Sequence, residues 1–347
     1  MISVNLRKLA QNDQAGISRY MHEIISRRPE IIEIDGLKPG NSAFLEGILG
    51  LFWDQIAVPL RSFKKFLWSP NNFASIFKSN QIVTIHDVAP IENPLWYDKR
   101  FALLFATLVP ISAKRCKHII TVSNDAKQKI VRYAGINPDK ITVIPLGVDH
   151  NKFFPASEND VKTTLKKHGL KSKSYILLIG PLDERKNLEF AVIVLSKLLE
   201  SFQSAVSIVI TGKKRNRTTI YEGINNKSVK FTGFVSDEDL RCLYSGALFL
   251  VFPSLYEGFG LPVLEAMTCG CPVVASRSTS IPEVLGECGS YFTPNSEEEL
   301  KVACQEMLLS QELRDNYSKL GRERSLGFNW DLTAKKTWET IDKWSKS

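Results

Sequence analysis

Histidine, methionine and cysteine are all scarce in this 347-residue chain, at five, four and six copies. The five histidines form no cluster at metal-ligand spacing. The cysteines (Cys116, Cys242, Cys269, Cys271, Cys288 and Cys304) are scattered, and Cys269-x-Cys271 has no second pair to complete a metal site. They read as reduced, mostly buried thiols, the pattern of a cytoplasmic protein rather than a disulfide scaffold. Long apolar runs are missing as well. The most apolar window outside the expected core strands is "FALLFATLVPI" (Phe101 to Ile111), with a proline near its end, which is too short to span a bilayer. The opening stretch "MISVNLRKLAQNDQ" turns polar too soon for a signal peptide. No G-x-G-x-x-G opens either half, which disfavours an NAD dehydrogenase. Low-complexity tracts and short repeats are absent too.

What is present is the composition of a soluble globular protein, 44% apolar and 24% charged, at a length that suggests two domains. The net charge of +8 is uneven. Residues 1–150 carry 19 Lys and Arg against 13 Asp and Glu, while residues 151–347 carry 26 against 24. "LRSFKKFLW" (Leu60 to Trp68) mixes Arg61, Lys64 and Lys65 with Phe63, Phe66 and Trp68. "SAKRCKH" (Ser112 to His118) adds Lys114, Arg115 and Lys117. Basic residues among aromatics suit an anionic membrane surface. The bland alternative is a solvated basic face over a buried stripe. No nucleic-acid motif appears, so nucleic acid is not expected as a partner.

Strand and helix signals alternate along both halves. "ISVNLRKL", "QIVTIHD", "KHIITVS" and "DKITVIPL" read as strands of the first half. Ser123 is the expected cap, and Gly135 the expected end, of the helix between the last two. "NKFFPASEND" is polar and proline-marked, and the domain boundary is placed there, giving domains 1–150 and 151–347. The last helix, about 330–347, is expected to pack back on the first domain. The second half restarts the rhythm with "SYILLIG", a helix from Leu188, "SAVSIVITG", "VKFTGFV" and a helix from Asp237. Such alternation predicts an α/β protein of two doubly wound, parallel-sheet, Rossmann-like domains facing across a cleft, the default ligand site.

The most informative stretch is "LYEGFGLPVLEAMTCGCPVV" (Leu255 to Val274). Before it, "ALFLVFPS" reads as a strand buried on both faces. Gly258 and Gly260 allow positive φ and close approach of another molecule. Pro262 suits the start of a helix, and "CPVVAS" is a further buried strand. Strand, glycine turn and helix N-terminus together form a cradle for phosphate. Glu265 is expected in the first helical turn, where its carboxylate could accept bonds from sugar hydroxyls. Glu257, on the strand-to-turn lip, could do the same for a second group.

"EGFGLPVLE" resembles the E-x7-E signature of the family 4 retaining glycosyltransferases (glycosyl transferases group 1), which have the GT-B fold. "VTIHD", "IITVS", "VIPLGVD", "GPLDERKN", "FTGFVSDEDL" and "SIPEVLGE" stand in family order around it, so the resemblance covers nearly the whole chain. It implies a nucleotide-sugar donor and a glycan or lipid-linked acceptor, with no metal and no cofactor. Glu265 would hold the ribose hydroxyls and Glu257 the donor sugar. The backbone N–H groups of Gly258, Phe259, Gly260 and Leu261 would face the diphosphate or sugar. Lys186, and more weakly Arg185, would neutralise the diphosphate. Gly233 and Val235 would border the base, and Gly16 would sit in the first-domain loop over the phosphates. His86 would end a strand and face the donor sugar and acceptor, with Lys186 and Glu257 completing the catalytic set. A loop-capping role is the plain alternative for His86.

Physical chemistry agrees with these roles, because cleaving a sugar–phosphate bond leaves negative charge that fixed cations and N–H donors must meet. Two departures from the family pattern stand out. Pro181 follows Gly180 where many relatives carry Arg, and "QNDQAGISRY" has one glycine where two or more are usual. The reading is a cytoplasmic enzyme, peripheral on the inner face of the plasma membrane. It would transfer a hexose, with mannose from GDP-mannose as first choice, in the manner of bacterial mannosyltransferases of surface polysaccharide assembly. The alternatives are rhamnosyl or other hexosyl transfer, a GT-B nucleotide-sugar 2-epimerase, and a non-catalytic nucleotide-sugar-binding subunit.

Overall fold

The apolar, β-branched runs do become strands in the computed structural model, which describes residues 2–7, 16–28, 32–34, 50–181, 183–203, 205–212 and 229–346. The chain divides into two units, Met1–Gly147 with Trp330–Ser347, and Val148–Asn329. Among the described residues each is built on one six-stranded sheet, and every strand pairing is parallel.

In the first unit the strands are β1 (Ile2–Asn5), β2 (Ile32–Ile34), β3 (Phe66–Ser69), β4 (Gln81–Thr84), β5 (His118–Thr121) and β6 (Ile141–Val143), in the order β2-β1-β3-β4-β5-β6. Parallel strands covered by helices are buried on both faces, which is why they read as continuous apolar runs. Ser123 caps the helix Asn124–Ala134 by accepting from the Ala126 N–H, and Gly135 ends it at φ +61°. Such a cap contributes about 1 kcal/mol.

β3 corrects the expectation for "LRSFKKFLW": Phe66 and Trp68 are not surface aromatics but the buried centre of the sheet. The period-2 signal is hidden there because both faces of the strand are apolar. The Trp68 indole donates to Thr84 Oγ1 at 3.0 Å. Helix Trp330–Ser345 closes this unit. Its Trp338 indole donates to the Ile24 carbonyl at 3.0 Å and packs edge-on against Trp68, 5.2 Å between centroids. Arg28 lies over Trp338 and pairs with Asp342 at 2.8 Å, while Arg27 pairs with Asp331 at 2.6 Å.

In the second unit the strands are β7 (Tyr175–Ile179), β8 (Ser207–Thr211), β9 (Val229–Gly233), β10 (Phe249–Phe252), β11 (Val273–Ser276) and β12 (Ser290–Phe292), in the order β12-β11-β10-β7-β8-β9. Helix Leu188–Ser201 lays Leu188, Val192, Leu195 and Leu199 on Ile176, Ile208 and Phe249. Each such fully buried side chain contributes roughly 1.5–3 kcal/mol. All six cysteines are free thiols, and all but Cys288 are buried. Among the described residues no helix is long and apolar enough to cross a membrane.

Candidate active site

The chain runs from β7 through β8 to β9 toward one edge of the second sheet, then returns to β10 and proceeds through β11 to β12 toward the other. The loops that follow β7 and β10 therefore part at a topological switch point, where open α/β sheets bind their ligands. Glycines line the neighbouring strand ends. Gly180 stands at φ +144° after β7 and Gly212 at φ +140° after β8. A Cβ on Gly212 would lie 2.3 Å from the Gly180 carbonyl oxygen, so no larger residue fits. Gly233 ends β9 at φ +73°, with open space where a Cβ would be, and its carbonyl accepts from the Gly212 N–H at 2.9 Å. Val235, two residues on, is half-buried.

Arg185 and Lys186 come from the loop after β7. Asp183 accepts from the Lys186 N–H at 3.0 Å and so caps the 3₁₀ turn Glu184–Lys186. Asn187 ends that turn at φ +53°. The Leu255 N–H donates to the Arg185 carbonyl at 2.8 Å, which ties this loop to the one after β10. Across that tie, Lys186 Nζ sits 2.6 Å from Glu257 Oε1, and Arg185 Nη1 sits 3.3 Å from Glu257 Oε2. The Lys186 stem runs against Gly180, whose missing Cβ would come within 3.2 Å of it, and its ammonium lies 5.3 Å from the centroid of the Phe252 ring. Lys186 is therefore only 7% exposed, not the freely solvated side chain expected of a residue lining an open cleft. Burial pushes the Glu257 carboxyl up, but Lys186 and then Arg185 outweigh it and hold the group below the usual carboxylate range. Glu257 is an ionised acceptor beside two cations.

Ser278 and Thr279, passed over in the sequence, brace this turn together with Ser280. The Glu257 N–H donates to Thr279 Oγ1 at 2.9 Å, and the Ser280 hydroxyl lies 3.0 Å from the Glu257 carbonyl and 2.9 Å from that of Phe259. Ser278 donates to the Ser254 carbonyl at 2.7 Å. The signal was the run "SRSTS" following β11, the strand paired with β10. Gly258 sits in the turn, and the Phe259 ring is buried, 6.1 Å from that of Phe328. Gly260 holds φ +110°, and a Cβ there would strike Ile281 at 2.7 Å.

The helix begins at Leu261 and ends at Thr268, so Glu265 is its fifth residue and not part of its first turn. The Gly260 carbonyl already takes the N–H groups of Val263 and Leu264, which moves the start ahead of Pro262. Glu265 is buried, and its Oε2 accepts from the Tyr244 hydroxyl at 3.2 Å; the same hydroxyl lies 3.1 Å from the Pro262 carbonyl. Burial, and next the Glu265 charge, push the Tyr244 hydroxyl pKa well above its ordinary value, so it remains a donor. Tyr244 was missed because an aromatic on a helix facing a core carries no local mark of function. Asp237-Glu238-Asp239, which has Asp-x-Asp spacing, forms the first turn of helix Asp237–Gly246, and Asp239 faces Lys167 at 3.4 Å.

His86 belongs to the first unit. β4 ends at Thr84, two residues short of it. Its N–H donates to Asn72 Oδ1 at 2.6 Å, and its Nε2 lies 2.9 Å from the Pro70 carbonyl, a contact only a protonated Nε2 can make. The Tyr20 ring stands edge-on at 4.9 Å. Burial lowers the His86 pKa, which keeps the ring neutral with Nδ1 as its acceptor nitrogen. Gly16 is the exposed first residue of helix Gly16–Ile25, and the loop before it lies outside the described residues.

Comparison with known proteins follows this geometry. The family described as "Glycosyl transferases group 1" matches residues 160–324, and "Glycosyltransferase Family 4" matches residues 64–152. An O-antigen chain mannosyltransferase B of Escherichia coli is 28% identical over 78% of this chain and 73% of its own length. The serotype-specific mannosyltransferase WbdA of Escherichia coli is also 28% identical, over 73% of this chain, but the match spans only 32% of that longer protein. Among solved structures, Anabaena HepE in complex with UDP and glucose superposes with a TM-score of 0.78 at 17% identity, covering 98% of this chain and 99% of that one.

Proposed function

We propose that this chain, which belongs to the family 4 glycosyltransferases and has their GT-B fold, transfers mannose from GDP-mannose. The acceptor is a hydroxyl of a glycan or lipid-linked oligosaccharide in bacterial surface polysaccharide assembly. The observation that carries the donor site is the Arg185–Lys186–Glu257 group at the switch point of the second unit. The choice of mannose is supported by curated relatives that bear mannosyltransferase names at 28% identity.

In this reading the leaving nucleoside diphosphate gathers charge as the sugar–phosphate bond breaks. Lys186 and Arg185, held in place beside Glu257, meet that charge without rearranging, which favours the transition state over the ground state. Glu257, kept ionised by the same cations, accepts hydroxyls of the donor sugar. Glu265, oriented by Tyr244, accepts the ribose hydroxyls. The backbone of Gly258 to Leu261 lies against the diphosphate, and Gly233 and Val235 border the base. Family 4 is a retaining group. Retention follows if the acceptor hydroxyl attacks from the face the diphosphate leaves, handing its proton to the departing phosphate oxygen. The neutral, buried His86 lines the acceptor side.

The enzyme works in the cytoplasm against the inner membrane face. The support is an exposed apolar stripe, Phe52, Ile56 and Leu60 at helical spacing, with Phe63 75% and Phe77 68% exposed nearby. Arg61, Lys64 and Lys65 stand in the same segment, whose sole acid, Asp54, is buried against Arg7. A thermal-shift screen against GDP-, UDP- and dTDP-sugars tests the donor. Stabilisation by ~2.7 kcal/mol is expected at 100 times the dissociation constant, for GDP-mannose alone. Preference for another nucleotide sugar would replace mannose, and a shift with none would sink the reading.

A further inference from the structure

The first unit has a switch point of its own. The chain leaves β1 toward β2 on one side and, after β3, proceeds to β4 on the other, so the segments following β1 and β3 part at the carboxyl edge. Asn5 ends β1 and Arg7 follows it, both engaged with the buried Asp54: Asn5 Nδ2 at 2.8 Å from Oδ1 and Arg7 Nη2 at 2.6 Å from Oδ2. After β3 stand Pro70, Asn71 and Asn72. The Pro70 carbonyl accepts from His86 Nε2, Asn72 Oδ1 accepts from the His86 N–H, and the Asn72 N–H donates to the Thr84 carbonyl at 2.9 Å.

Between these two anchored residues, Asn71 is 2% exposed, and neither its Oδ1 nor its Nδ2 has a hydrogen-bond partner among the described residues. A buried carboxamide with both ends unsatisfied is unusual, because its desolvation is not repaid by bonds within the protein. A partner that both donates and accepts would satisfy both ends, as a buried water or a pair of hydroxyls can. A phosphate offers acceptors only, and an ammonium offers donors only. Adjacent hydroxyls of a sugar offer both, side by side.

We propose that the Asn71 side-chain amide reads adjacent hydroxyls of a hexose at the switch point of the first unit, and that this hexose belongs to the acceptor. The assignment to an acceptor rests on the glycosyltransferase reading above. Asn71 is then a specificity-determining residue: it selects which sugar receives the transfer and leaves the chemistry at the donor untouched.

Two measurements on the full-length protein test this. In the first, the parent is titrated with methyl α-mannoside, methyl α-glucoside and methyl α-galactoside while the Asn71 side-chain amide NMR signal is followed, identified by its loss in Asn71→Ala. A saturable shift with at least one sugar is expected, and no shift with any of the three overturns the proposal. In the second, Asn71→Ala is assayed with GDP-mannose and octyl α-mannoside. Its melting temperature should equal or exceed that of the parent, since no internal bond is lost. Its acceptor KM should rise about tenfold or more, the loss expected from one good contact. Its donor KM, and its slow hydrolysis of donor without acceptor, should not change. A lower melting temperature, or an unchanged acceptor KM, overturns the proposal by making the amide structural. A rise in donor KM instead overturns the proposal, because the hexose then belongs to the donor. If the parent never releases GDP, the transferase reading fails, and the titration still decides whether Asn71 binds a sugar.

Discussion

Lys186 and Glu257 form a buried ion pair, 2.6 Å from Nζ to Oε1, joining the two loops that part at the switch point of the second sheet. Two residues to which the sequence analysis assigns different ligands, diphosphate and sugar, thus form a single coupled pair.

The coupling itself is measurable by a double-mutant cycle on melting. Breaking a buried pair from one side typically costs about 3–5 kcal/mol. Arg185 remains beside Glu257 at 3.3 Å, so Lys186→Met should lose less than that. Glu257→Gln in the Lys186→Met background should then cost far less than Glu257→Gln alone. Strict additivity of the two changes would show that the pair is not formed in solution.

The Glu257 carboxyl is depressed by its two cations. A group of this kind adds stability above its unfolded pKa and loses it as pH falls through the lower folded value. The parent melting temperature should therefore fall more steeply than that of Glu257→Gln as pH drops from about 5 toward 3, below the ordinary carboxylate pKa. Parallel curves for the two proteins would contradict the assignment.

Tyr244 holds Glu265 through a buried hydroxyl. Tyr244→Phe should destabilise by roughly 0.5–1.5 kcal/mol, the net worth of one such bond. It should weaken binding of GDP and of GDP-mannose alike, because a ribose contact is common to both, and leave kcat nearly unchanged. Calorimetric titration with both ligands decides this; a loss confined to the intact donor would move Glu265 to the sugar.

Binding to anionic vesicles should depend on both parts of the exposed patch. Replacing Arg61, Lys64 and Lys65 with Gln should weaken sedimentation with anionic vesicles, at about 1 kcal/mol per charge, and salt should mimic the effect. Replacing Leu60 and Phe63 with Ser should weaken what salt does not. Equal binding of the parent to neutral vesicles, or to none, argues against the surface.

Much of the fold was legible because it is written locally. β4, β5, β7, β8, β10 and β11 are apolar runs bounded by turn residues, and the Ser123 cap and Gly135 stop are single-residue signals. Glu257 and Glu265 could be picked out because glycines and a proline frame them. Relationships across long sequence separations were not legible. Lys186 and Glu257 are 71 residues apart, and Tyr244 reaches Glu265 from a different helix. β3 was misread because basic neighbours made a buried strand look like surface. The place of Glu265 in its helix was misjudged because the Gly260 carbonyl opens the helix one residue ahead of Pro262.

The most direct test of the account is the turnover number of Lys186→Met with saturating GDP-mannose and acceptor, measured well below the melting temperature of the variant. Methionine keeps the stem over Gly180 and removes only the charge. Turnover should fall by roughly 10²–10³, comparable to losing one preorganised oxyanion donor, since Pro181 stands where a further cation could have been. Lys186→Arg should recover only part of it. A folded Lys186→Met protein with turnover within about threefold of the parent, less than 1 kcal/mol of barrier, would contradict the claim that this lysine receives the leaving-group charge.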